Sequence, residues 1–310
     1  MDLHQLKLFV HVYEAGSLSA AAERGRLAVS AVSLHLSNLE AELGTLLFHR
    51  VPRGMRPTSA GERLILHARG ILGSVETARA DMLGTTAPVS GVLRVGMASS
   101  AVAAFGGAFL SAMSAQFPLV DLSISDSVPS DRLVEILEGE FDLAIAFNPV
   151  THPQLDCRPL LRERLFCMGL PNMLAEGADP ISLKEVLDIP LILPRQGEGM
   201  RALTGEHAWL KKIEAKAHMQ PGSGLAIKEA LFQGLGATIA SPLLVSHDVR
   251  AADLVIRPIV EPQLWRTLAL CSHRGRPETS AKEACISTIR SLVKTLLASD
   301  TWVGAEAPEA

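Results

Sequence analysis

The chain has only four cysteines, Cys157, Cys167, Cys271 and Cys285, and their spacing matches no zinc-binding pattern. Its ten histidines are scattered, with no pair at metal-ligand spacing. Neither a metal nor a cofactor is expected. The one glycine-bearing polar run, "RQGEGM", has too few glycines at the wrong spacing for a phosphate loop or a dinucleotide fingerprint. No nucleophile–base constellation emerges, so nothing supports an enzyme. No uninterrupted apolar run is long enough to span a bilayer. The opening "MDLHQLKLFVHVYEAG" carries charges through its apolar run and has no small-residue cleavage site after it. A cytoplasmic location without a membrane partner is therefore expected. Cys157 and Cys167 are ten residues apart, so a redox pair is conceivable. Two ordinary thiols in or near strands is the simpler reading in a reducing compartment.

What the chain does have is length and apolar content. Its 310 residues are 48% hydrophobic and 20% charged, enough for one to three domains with sizeable cores. The formal net charge of -4 does not advertise nucleic-acid binding, but only local charge matters at a phosphate backbone.

Asp2 can cap a first helix in which Leu3, Leu6, Phe9, Val10 and Tyr13 recur at helical spacing. Gly16 stops it, Ser17 caps "LSAAAERG", and Gly25 is read as the glycine that ends this second helix. Ala20, Ala21 and Ala22 leave room for another helix to cross close by. A third helix is predicted from about Val29 to Leu43, with Val32, Leu36, Leu39 and Leu43 on one apolar face. Ser30, Ser33, Leu34, Ser37 and Asn38 lie largely away from that face, with His35 beside the boundary. An apolar back and a polar front describe either a helix-turn-helix or an ordinary bundle helix with a solvated face. The next stretch favours the first. "GTLLFHRVPRGMRPTSAG" holds His49, Arg50, Arg53 and Arg56, and no acid occurs from Leu43 to Gly61. Pro52, Gly54 and Pro57 place these arginines on a wing-like hairpin suited to phosphates or the minor groove.

"FVHVYEAGSLSAAAE", "AVSLHLSNLEAELGTLLFHR" and "RGMRPTSAGERL" together resemble the amino-terminal signature of the LysR-type transcriptional regulators. The resemblance implies that Val29 to Leu43 is the recognition helix on double-stranded promoter DNA and that the arginine-bearing turn is the wing. Ser30, Ser33, His35, Arg50 and Arg53 become DNA-contact candidates, joined by Leu34, Ser37, Asn38 and Arg56 from the residue reading. The chain departs from the family at Ala28-Val29, where Ser-Gln is frequent, and at Gly25 and Arg26. Operator sequence should therefore not be borrowed from relatives.

Thr58 or Ser59 can cap the next helix, and Glu62 follows Ser59 at capping-box spacing. Leu64, Ala68, Ile71, Val75, Ala78 and Met82 form a heptad seam that suits a dimerising coiled coil better than a helix lying on its own domain. The family pairs through this helix. A tetramer, with effector domains pairing head to tail, and contact with RNA polymerase are implied by the resemblance alone.

The expected organisation is a winged helix-turn-helix at 1–58, all-α with a small β wing. A linker helix and hinge follow at 59–90, and an effector-binding domain occupies 91–302. From Val92, strands alternate with helices as βαβαβ, and a second such run follows, which is α/β with parallel pairing. Lobe I is placed at about 91–160 and 268–302, lobe II at about 161–267, with crossings near Cys157 to Cys167 and Thr267 to Ser272. The resemblance implies a two-lobed, periplasmic-binding-protein-like fold. The tail at 303–310 is expected to be disordered. Ligands of such sheets sit beyond the strands' carboxyl ends. Ser99, Ser100, Ser127, Phe147 and Asn148 from one lobe, and Arg195, Gln196 and Arg201 from the other, are therefore the candidates for a small-molecule effector, with a carboxylate favoured. The rival readings are a redox-responsive regulator of this architecture, and an enzyme or transport binding protein with an appended helix-turn-helix.

Overall fold

The structure is a computed structural model that describes all residues except 53, 83–87, 127–133, 176, 178, 195–206, 247, 277, 300 and 309–310. The chain divides into two compact units.

The amino-terminal unit begins with α1 (Leu3–Ala15), capped by Asp2 and Gln5 in a reciprocal capping box and closed by left-handed Gly16. Ser17 caps α2 (Leu18–Gly25), its side chain accepting from the Ala20 N–H. Gly25 is the last helical residue, and Arg26, at φ 52°, takes the left-handed position expected of the glycine. The turn closes through Arg26, whose N–H bonds the Ala22 and Glu23 carbonyls. Ala21 and Ala22 are buried, which lets neighbouring helices approach. Helix α3 (Val29–Leu43) buries Val32, Leu36 and Leu39, while Leu43 at its end is exposed. Strands β1 (Phe48–Val51) and β2 (Gly54–Pro57) form an antiparallel hairpin. Helix α4 (Ser59–Met82) starts after Thr58, whose hydroxyl accepts from the Gly61 N–H. The expected Ser59–Glu62 capping box is not formed, because Ser59 already lies inside the helix and Glu62 accepts from the Tyr13 hydroxyl.

Helix α4 serves two purposes along its length. Ala68 is fully buried in the core of its own unit, and Leu64 and Ile71 pack against that core. Val75 is half-buried, Ala78 is exposed, and Met82 is 80% exposed. The heptad seam is thus divided, its first half occupied by α1 and the wing and its second half open.

A larger sheet has the strand order β14 (Ala305–Glu306), β6 (Leu155–Arg164), β13 (Trp265–His273), β5 (Leu143–Phe147), β3 (Ser90–Met97), β4 (Leu119–Asp126), and a smaller one has β11 (Thr238–Ala240), β7 (Phe166–Gly169), β12 (Val255–Val260), β8 (Ile181–Ser182). In the larger sheet β3 runs parallel to β5. Strand β13 is antiparallel to both β5 and β6, so the sheet is mixed. Strand β4 forms one edge. A short parallel pair, β9 (Leu191–Ile192) with β10 (Ala217–Met219), adjoins the smaller sheet.

One expectation is narrowed here and two are corrected. The first crossing is confined to Leu165, because Leu155 to Arg164 is one strand of the larger sheet. The return crossing lies at 261–264, since Thr267 to Ser272 sit inside β13, paired on both sides. The tail is not disordered as far as it is described. Trp302 is buried, and β14 (Ala305–Glu306) adds an edge strand to β6, with Glu306 paired to Arg162. A large anchored side chain next to an open strand edge supplies the ordering that the tail's own composition lacks.

Candidate nucleic-acid interface and effector cleft

With about 100° between successive helical residues, Ser30, Leu34 and Ser37 project opposite the buried Val32, Leu36 and Leu39. Ser30, Ser37 and Asn38 are exposed, and Leu34 is 61% exposed. Ser33 is half-buried and accepts a hydrogen bond from Arg50 Nη2 at 3.3 Å. His35 is held on the flank of the helix, where its ring meets the edge of His4 with centroids 5.0 Å apart. The outward face of α3 is therefore formed by Ser30, Leu34, Ser37 and Asn38, with Ser33 joined to the wing.

The wing is docked rather than loose. The Met55 N–H donates to the Gly16 carbonyl at 2.7 Å, and Gly54 sits at φ 129° where a Cβ would stand 2.2 Å from that same oxygen. Only glycine lets the hairpin approach this turn. Glu40 of α3 accepts from the Leu47 and Phe48 N–H groups, tying the start of β1 to α3. Cross-strand register pairs Arg50 with Met55 and His49 with Arg56, so the two pairs lie on opposite faces of the hairpin. Arg50 and Arg56 are exposed, while Arg53 lies outside the described residues.

In the second unit, Ser99 and Ser100 open a helical run whose N-cap, Ala98, has no side chain that could satisfy the first N–H groups. A π turn at Val102–Gly106 interrupts this run, which continues as the helix Gly107–Gln116. Ser100 and Phe147 are brought together by a residue that the sequence reading overlooked. Arg266 in β13 donates from Nη2 to Ser100 Oγ at 3.3 Å, and its guanidinium carbon lies 3.6 Å from the Phe147 ring centroid. Its charge is balanced by Glu163 of β6, which is fully buried and also accepts from the Trp302 indole N–H. Asn148 occupies a left-handed position at φ 43°, and its Oδ1 accepts from the Thr267 N–H at 2.9 Å. It fastens the end of β5 to β13 beside Arg266. Ser127, Arg195, Gln196 and Arg201 lie outside the described residues.

Cys157 and Cys167 belong to different sheets. Burial pushes the Cys167 thiol up to about 12. Cys157 stands directly opposite Cys271 across β6 and β13. A hydrogen bond from the Cys271 thiol lowers the Cys157 pKa, and the same bond together with burial raises that of Cys271. Among the described residues, no group of three or more His, Cys, Asp or Glu could hold a metal ion. Among the same residues, no helix is long and apolar enough to cross a membrane.

Residues 3–62 match the family described as bacterial regulatory helix-turn-helix protein, lysR family, and residues 86–294 match the LysR substrate binding domain. The chain is 27% identical over 305 residues to the HTH-type transcriptional regulator BbuR of Bordetella bronchiseptica, covering 98% of this chain and 94% of that protein. It is 29% identical over 294 residues to the nitrogen assimilation regulatory protein nac of Klebsiella aerogenes, covering 93% and 95%. Among solved structures, a full-length OxyR variant from Pseudomonas aeruginosa superposes with a TM-score of 0.67 at 20% identity, covering 95% of each chain. Full-length CbnR complexed with its target DNA gives a TM-score of 0.52 at 20% identity, covering 94% of this chain and all of that one.

Proposed function

Since the chain belongs to the LysR family of DNA-binding transcriptional regulators, we propose that its hold on promoter DNA is modulated by a small organic or aromatic carboxylate bound between the lobes of its effector domain. The observation that carries this reading is Arg266, braced by buried Glu163, stacked on Phe147 and directed at Ser100. A guanidinium fixed in this way is preorganised for a planar anion, and the helix start at Ser99 and Ser100 adds N–H dipoles of the same sign. Phe147, itself buried, acts from beneath the guanidinium and fixes its plane. Arg195, Gln196 and Arg201 remain part of the proposal as groups from the facing lobe.

The protein works as a dimer in this reading. Val75, Ala78 and Met82 form the portion of the α4 seam open to a partner, since Leu64, Ala68 and Ile71 pack within the protomer's own core. The dimer sets Ser30, Ser33, Leu34, Ser37 and Asn38 of each protomer at two half-sites, with Arg50, Arg53 and Arg56 on the flanking backbone. His35 orients the helix through His4. Pairing of effector domains builds the tetramer, and the assembly acts at a cytoplasmic promoter in contact with RNA polymerase. A ligand that binds one arrangement of subunits more tightly shifts the population toward it and so alters DNA affinity or bending.

Ser100→Ala tests the cleft. The variant is expected to weaken a carboxylate found by thermal shift by about tenfold to 150-fold, the worth of one lost hydrogen bond to a charged group. Operator affinity without ligand should stay unchanged. Equal ligand affinity in variant and wild type would remove Ser100 from the site. A redox regulator of the same architecture is the second reading, and Cys157 with Cys271 is the pair it favours, because Cys167 lies in the other sheet.

A further inference from the structure

The recognition helix is short of charge where it should meet DNA. Between Val29 and Asn38 there is no Lys, Arg, Asp or Glu, and the one titratable side chain, His35, packs against His4. Cations flank the helix on both sides, with exposed Arg24 and Arg26 just before it and Arg50 and Arg56 on the wing. At the centre of the outward face stands Leu34, about 170° around the helix from the mean direction of Val32, Leu36 and Leu39. Ser30, Ser37 and Asn38 surround it, all exposed. Val29, 44% exposed, adds a second apolar side chain at the end of the helix that enters first.

A single exposed leucine is ordinary on a protein surface. At the apex of a reading helix it has a definite chemical consequence. In the major groove the base edges offer hydrogen-bond donors, acceptors, and one bulky apolar group, the C5 methyl of thymine. A leucine pressed against an acceptor or an amino group strips its water and returns no hydrogen bond, which is penalised. Pressed against a thymine methyl, it buries apolar surface on both partners. Attraction and penalty therefore select the same base. The small hydroxyls of Ser30 and Ser37 let the helix come close enough for that contact.

We propose that Leu34 is a specificity-determining residue that reads a thymine methyl group in each half-site. The inference rests on α3 being the helix that enters the major groove. It explains how a helix without arginine or lysine at its apex still discriminates: the wing supplies attraction to the backbone, and Leu34 supplies base choice.

The test is the thymine methyl itself. Half-sites are first selected from a random-sequence duplex pool with the full-length protein, and each thymine is then replaced in turn by deoxyuridine, which removes only the methyl. One position per half-site should lose about fourfold in affinity, the worth of one buried methyl-sized group, and the two half-sites together about fifteenfold. In Leu34→Ala the same replacement should have no effect. Leu34→Gln, which keeps the side chain's length and adds an amide, should lose the uridine sensitivity too and favour adenine at that position. Uridine tolerated at every thymine by the wild type, or uridine sensitivity retained in Leu34→Ala, would overturn the assignment while leaving DNA binding intact. A pool that enriches no sequence would instead overturn the DNA-entry reading, and the assignment with it.

Discussion

Glu163→Ala is expected to destabilise the effector-binding unit by about 3–5 kcal/mol, read as a shift in its urea midpoint. Glu163 is fully buried in β6, where it holds Arg266 of β13 and the Trp302 indole at once. Removing it leaves a guanidinium with 10% of its side chain exposed next to a cavity and without its counter-charge, which is the expensive way to break a buried pair. Trp302 would lose its acceptor, so the packing that orders β14 should loosen and the tryptophan emission should move to longer wavelength. The double variant Glu163→Leu with Arg266→Leu should recover most of the lost stability, because burying two apolar groups avoids the unpaired charge. It should not recover ligand binding. That contrast separates the two roles of the pair, holding the strands together and aiming a cation at Ser100. A loss below about 1 kcal/mol in Glu163→Ala would mean that water relaxes around Arg266 and that the guanidinium is not rigidly held.

The second large effect belongs to the wing. Arg50→Ala with Arg56→Ala should flatten the dependence of log affinity on log salt by about 1.8 for each protomer, since each lost phosphate contact removes close to 0.9 from the slope. Relative to 1 M salt, that corresponds to about a 60-fold loss of operator affinity at 0.1 M salt per half-site. The loss should be nearly uniform across operator and unrelated DNA, because backbone contacts carry no sequence information. Arg50 also donates to Ser33, so any sequence-dependent part of the loss should be confined to the base nearest Ser33. An unchanged salt slope in the double variant would take the wing off the DNA.

The amino-terminal unit was legible because its signals are local. Capping by Asp2 and Ser17, the 4, 3 spacing of Val32, Leu36 and Leu39, and the acid-free arginine hairpin each sit within one element. What the sequence hid depends on partners far along the chain. Leu155 to Arg164 reads poorly as a strand because Pro159 interrupts it and its burial does not alternate. Glu163 sits in the charged run "RERL" and looks solvated, yet it is buried by Arg266, 103 residues away. Arg266 in turn lies in the apolar strand "WRTLALCSH", with no local sign that Ser100 and Phe147 face it. The tail "VGAEAPEA" has no strand character of its own, and its order comes from Trp302 and the free edge of β6. The heptad arithmetic on α4 was sound, but periodicity alone cannot say that Ala68 is already covered by α1 and the wing hairpin.

The central claim is that ligand in the cleft and DNA on α3 are coupled, and coupling is reciprocal. The most direct measurement is operator affinity of the full-length protein with and without a saturating carboxylate that raises its melting temperature, paired with that carboxylate's affinity with and without operator. The account predicts that each changes the other by the same factor, and that Ser100→Ala abolishes the change without altering DNA binding in the absence of ligand. Operator affinity that stays constant while the cleft fills would contradict it.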